Sequence, residues 1–151
     1  RPPRSTPLYS SAASDVYKRQ VWREWGIDEL LHNAYHEGKI MSGVSAGAIC
    51  WFEKGVTDSW DDELRVLDCL GIIKGNCCPH YDEEPDRIPY TNKFLTEGLI
   101  DSIHCIEGGS ALHFVDELVK HNVSFHKSKN SYNVSIKDNQ ILTKAYSSIS
   151  I

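Results

Sequence analysis

Apolar positions along the chain switch between two spacings. Trp22, Trp25, Leu30, Leu31, Ala34 and Tyr35 recur near a helical period, with Asp28 and Glu29 where a first turn favours acids, and Gly38 where the helix ends. Residues 39–44 then read as a short buried strand, and 46–52 as the start of another helix. Helix, strand, sharp turn and helix in close succession is the grammar of an α/β domain with a partly parallel sheet.

Further along, Leu64-Arg65-Val66-Leu67 and Leu70-Gly71-Ile72-Ile73 are short apolar pieces, strand or loop. Residues 86–97 read as a helix after the interruptions at Pro85 and Pro89, and 102–106 and 111–115 as strands. The end alternates on either side of Asp138-Asn139 and predicts a C-terminal β-hairpin. The expected fold is therefore α/β: three layers, a partly parallel sheet and flanking helices.

Residues 1–20 do not share this patterning. Three of the six prolines fall within the first seven positions, and Ser10-Ser11-Ala12-Ala13-Ser14 follows no helical or strand period. The string Ser11-Ala12-Ala13-Ser14-Asp15-Val16-Tyr17-Lys18-Arg19-Gln20 resembles translated sequencing-adapter tails. The expected organisation is a non-native leader over 1–20 and one domain over 21–151.

A chain of 151 residues is long enough for one buried core. Its net charge is −5, and the leader carries Arg1, Arg4, Lys18 and Arg19 against Asp15 alone, so the body is more acidic still. An acidic body argues against a nucleic-acid partner, which needs a basic patch. No apolar run approaches the roughly 18 residues of a membrane span, and the leader lacks the apolar stretch of a secretory signal. The five cysteines follow no disulfide framework and read as reduced, mostly buried thiols, which predicts a cytoplasmic protein. A monomer or homodimer is expected.

Gly43-Val44-Ser45-Ala46-Gly47 is the sharpest chemical signal. A serine hydroxyl is a weak nucleophile that must be exposed and activated. A tight strand-to-helix turn exposes it, and glycines two residues to either side let the backbone pass close by. The amide of Ala46 is then the natural donor to a developing oxyanion. Without its context the pattern also describes a Gly/Ser loop packed between strand and helix. Activation requires a base, and histidine is the usual one near neutral pH. Among seven histidines His80 is the best placed, since it follows Pro79 in a loop where a rigid turn can aim a side chain, but the residues alone leave the choice open. His32 and His36 have metal-chelating spacing on an exposed helix side but no third ligand. His104 reads as a core or edge residue, and His113, His121 and His126 have no nameable partner. Cys77-Cys78-Pro79-His80 lacks the second Cys/His pair of a zinc site, so no metal is expected.

The longer string Gly43-Val44-Ser45-Ala46-Gly47-Ala48-Ile49-Cys50-Trp51-Phe52 resembles the peptidase E family of serine peptidases, whose fold is like that of class I glutamine amidotransferases. So do Trp22-Arg23-Glu24-Trp25-Gly26-Ile27, Pro79-His80-Tyr81-Asp82 and Ile106-Glu107-Gly108-Gly109-Ser110-Ala111-Leu112, in the same order. The resemblance implies a Ser45–His80–Glu107 triad working through an acyl-enzyme on small peptides, with no metal or organic cofactor. By residue type alone Glu107 would pass for an ordinary turn glutamate. The family is known for dipeptides starting with aspartate. Asp58 is a candidate for a substrate's amino terminus, and Arg87 for an acidic side chain; Asp58, Asp61 and Asp62 otherwise suit a solvated loop. Two other readings stay open: a cyanophycinase-like hydrolase of a branched aspartate–arginine polymer, and a non-catalytic amidotransferase-like binding module.

The resemblance also implies N-terminal strand–helix units ahead of Trp22, including a Gly-Gly-Gly-Asn-Thr loop with a second oxyanion donor, that residues 1–20 do not resemble. Losing one such donor typically lowers the rate on the order of a hundredfold. The chain as written is therefore expected to be inactive and poorly soluble.

Overall fold

A computed structural model describes residues 8–10, 21–58 and 63–150; most of the segment 1–20 expected to be a non-native leader, together with Asp61 and Asp62, lies outside the described residues. The centre is a six-stranded mixed sheet in the order β10-β9-β6-β5-β3-β4. Its strands are β3 (Phe52–Thr57), β4 (Arg65–Asp68), β5 (Ile73–Cys78), β6 (Ser102–Ile106), β9 (Ser131–Lys137) and β10 (Gln140–Ala145). Strands β3, β5 and β6 run parallel, and the outer pairings are antiparallel. A short parallel pair joins β1 (Leu8–Ser10) to β2 (Met41–Gly43). A third sheet holds β7 (Ser110–Val115), β8 (Leu118–Ser124) and β11 (Ser148–Ser150).

Strand alternation covers both faces of the central sheet. Val56, Cys78, Ile103, Cys105 and Val134 meet Phe94 and Leu95 of helix α3 (Arg87–Thr96) on one side. Phe52, Cys77 and Ile106 meet Ile49 of α2 (Ala46–Ile49) and Phe114 of β7 on the other. Helix α1 (Ile27–His36) joins that second layer by packing Leu31 and Tyr35 around Cys50, Trp51 and Ile72. The expected three-layer α/β architecture is what forms. All five cysteines are buried, with no disulfide among them.

Local chemistry explains where the elements differ from the periodicity. The first helical pattern is broken at Gly26, whose φ of 66° is left-handed, so a turn at 21–24 precedes α1 rather than continuing into it. The segment 46–52 is a single helical turn, because Trp51 and Phe52 are needed in the core and the chain enters β3 at once. Pro89 sits in the first turn of α3, where its missing N–H removes no intrahelical bond. Asp138 and Asn139, with φ of 51° and 59°, make the two-residue turn between β9 and β10.

Candidate active site

Strand β2 delivers the chain into Ser45 at the edge of α2. Ser45 has φ 55° and ψ −124°, a conformation costly for any residue with a side chain. The turn is held by bonds from the amides of Gly47 to the Val44 carbonyl (2.8 Å) and of Ala48 and Ile49 to the Ser45 carbonyl (2.9 and 3.2 Å). None of these uses the Ala46 amide, which opens α2 where a helical N–H has no carbonyl four residues back. Because α2 is one turn long, any donor here is the elbow's own amide rather than a helix dipole. Gly43 is obligatory, since a Cβ there would overlap the carbonyl of Gly47.

His80 follows the end of β5 and also adopts a left-handed φ, 55°. Its loop is pinned at both ends. Tyr81 N–H donates to the Ile106 carbonyl (3.1 Å), and the amides of Glu83 and Glu84 donate to the His80 carbonyl (3.1 and 3.3 Å). His80 Nε2 stands 2.8 Å from Ser45 Oγ, and its Nδ1 stands 2.6 Å from Glu83 Oε2. Ser45, His80 and Glu83 thus form one unbroken chain of hydrogen bonds.

The carboxylate on that chain is Glu83, not Glu107. Glu107 accepts the Asn130 amide (2.9 Å) through Oε2 and the Tyr132 hydroxyl (3.3 Å) through Oε1, which ties it to the start of β9. Glu83 is three residues from His80, a separation that brings side chains together on a tight turn, and this was the signal in the sequence. The neighbouring Asp82 clamps the loop: its carboxylate accepts the Gly108 amide (2.8 Å) and pairs with Lys129. Burial raises the Asp82 pKa, but these two partners outweigh it and hold the group below its ordinary value.

Arg87 has a different place from the one expected. Its side chain is 4% exposed; Nη1 donates to the Val56 carbonyl (2.8 Å) and Nε to Glu84 (2.7 Å). It cannot turn outward to a substrate without abandoning the core. Asp58 is exposed, 3.9 Å from Arg87 Nη2. His32 is half-buried and bonded through Nε2 to the Leu70 carbonyl (3.1 Å), so it does not pair with His36 as a chelate. His104 is packed beside Phe52, Phe114 and Tyr146, and Nδ1 lies 2.7 Å from the Tyr146 hydroxyl. Cys77 and Cys78 point to opposite faces of β5 and cannot share an ion with His80. Among the described residues no group of three or more His, Cys, Asp or Glu side chains is placed to hold a metal.

The model of peptidase family S51 matches residues 19–121. A protein of Bacillus subtilis (strain 168) described as "Uncharacterized peptidase YgaJ" is 40% identical over 121 residues, 80% of this chain and 52% of that protein. The chain spans about half the length of this relative.

Proposed function

We infer that this chain, which belongs to peptidase family S51, carries the nucleophile and base of a serine-type peptidase. The observation that carries the reading is the 2.8 Å contact between His80 Nε2 and Ser45 Oγ, with Ser45 lifted on a strained turn. In this mechanism Oγ attacks the peptide carbonyl while its proton passes to Nε2, and His80 then gives that proton to the departing amine. Water, deprotonated by the same nitrogen, releases the acyl group and restores the hydroxyl. The Ala46 amide donates to the oxyanion. A carboxylate on Nδ1 holds the productive tautomer and stabilises the imidazolium.

The third member has two claimants. The hydrogen-bond geometry favours Glu83, whereas the likeness of Ile106-Glu107-Gly108-Gly109 to peptidase E favours Glu107. Replacing each by glutamine separates them, because only the acid that serves His80 lowers the reactivity of Ser45.

The substrate class is small peptides. Preference for an amino-terminal aspartate finds no support in Arg87, whose cation is already held by Val56 and Glu84. A fluorophosphonate probe is the direct test, applied to this chain and to the full-length gene product. Labelling of the full-length product at Ser45, lost in S45A and H80A, is the expected result, with much weaker labelling of this chain alone. Labelling that is absent from the full-length protein, or indifferent to H80A, would leave a non-catalytic binding module. Assays with Asp-initiated dipeptides and with aspartate–arginine polymer then distinguish a dipeptidase from a cyanophycinase-like hydrolase. Five buried thiols without a disulfide fit a reducing compartment such as the cytoplasm. Among the described residues no helix is long and apolar enough to cross a membrane.

A further inference from the structure

The β7–β8 hairpin sets two histidines side by side, away from Ser45 and His80. His113 and His121 are direct cross-strand partners, with ring centroids 5.5 Å apart and planes 22° from parallel. Strand alternation puts them on the outer face. Asn122 and Ser124 are buried and Phe114 packs on Phe52, so His113 and His121, one position away, turn the other way. His113 is exposed and His121 half-buried. A bulge between His113 and Phe114 shifts the register beside the pair. Among the described residues neither ring makes a hydrogen bond or ion pair, which leaves the ring nitrogens of both open to a ligand.

We propose that His113 and His121 form a two-histidine chelate for a divalent transition ion of the copper, nickel or zinc type. Imidazole nitrogens bind such ions at roughly 2.0–2.1 Å, which places the centroids of two rings on one ion about 5 Å apart. The pair already stands close to that separation on a paired backbone, so binding needs a ring rotation rather than the folding of a loop. The ligand set also selects the ion. Calcium and magnesium require oxygen donors, and no carboxylate joins the pair. Imidazole suits the softer divalent ions, with copper tightest, and water completes the coordination. The bound ion would cross-link β7 to β8, the hairpin whose inner face anchors Phe114 in the core.

The test is calorimetric titration of this chain at neutral pH with Cu²⁺, Ni²⁺, Zn²⁺ and Mg²⁺, together with electron paramagnetic resonance of the copper adduct. One ion per chain is expected, tightest for copper and absent for magnesium, with couplings from two nitrogens. H113Q and H121Q should each weaken binding roughly tenfold or more, while H36Q, at another exposed histidine, leaves it unchanged. Saturable binding that survives both substitutions, magnesium binding as tight as zinc, or a copper spectrum with one nitrogen or none would overturn the proposal. Should one variant fail to fold, the other decides the matter, because its copper spectrum should keep a single nitrogen.

Discussion

The Glu83 carboxylate lies directly against the α-carbon of Gly108, so that a Cβ at position 108 would collide with its oxygens. Gly108 also gives its amide to Asp82, the residue before Glu83. The Gly108-Gly109 turn therefore shapes the seat in which Glu83 reaches His80. G108A should push the flexible carboxylate aside without disturbing the core. The expected outcome is a loss of Ser45 labelling comparable to that of E83Q, roughly tenfold to a hundredfold, with little change in melting temperature. Labelling in G108A at the parent rate, beside a strong loss in E107Q, would transfer the orienting role to Glu107.

Gly43 presents a harder obstacle, because what a Cβ would strike is backbone. The Gly47 carbonyl cannot rotate away without unwinding the turn that holds Ser45. G43A should cost about 1–3 kcal/mol, the range for forcing extra atoms into a packed site, and abolish labelling. Urea unfolding and probe labelling measured together check this. Parent stability with parent labelling would mean that the close approach is not needed.

Much of this was legible in the residues. Periodicity located α1, β2, α3, β6, β7 and the closing hairpin, and the glycines at 43 and 47 marked the elbow. Strand β3 was hidden, since Trp51 and Phe52 continue an apolar run that looks helical until the packing around Ile49 is known. Arg87 was misleading for a similar reason. An arginine near the expected site reads as available to an acidic side chain, and only the long-range bond to the Val56 carbonyl reveals a buried cation. The His80–Ser45 contact joins residues 35 apart in sequence, and no spacing rule predicts it.

Arg87 leads to a prediction that separates structure from recognition. Its burial is compensated by Glu84 and the Val56 carbonyl, and removal leaves both without their donor. R87M should destabilise the chain by about 1–3 kcal/mol, because it leaves the buried Val56 carbonyl unpaired while Glu84, 41% exposed, returns to water. In full-length protein that remains folded, KM for acidic and neutral dipeptides should change equally. A selective rise in KM for the acidic ones would restore Arg87 as a substrate contact.

His104 makes stability depend on pH. Burial pushes its pKa down to about 4, from the 6.5 of an exposed imidazole, so it is neutral in the folded protein near pH 7. Between those two values the unfolded chain takes up a proton that the folded one refuses. The contribution is thus fully present above pH 6.5 and declines as pH falls toward 4, by roughly 3 kcal/mol at most. Asp82 acts lower: its depressed pKa gives stability that is lost only as pH falls below its ordinary 3.8, outside this window. H104F keeps an aromatic ring between Phe52 and Phe114 but removes the titration; the loss of the Tyr146 bond lowers stability at every pH alike. Urea midpoints measured across the window should fall more steeply for the parent chain than for H104F. Parallel curves would show that His104 titrates freely in the folded state and that its packing excludes no proton.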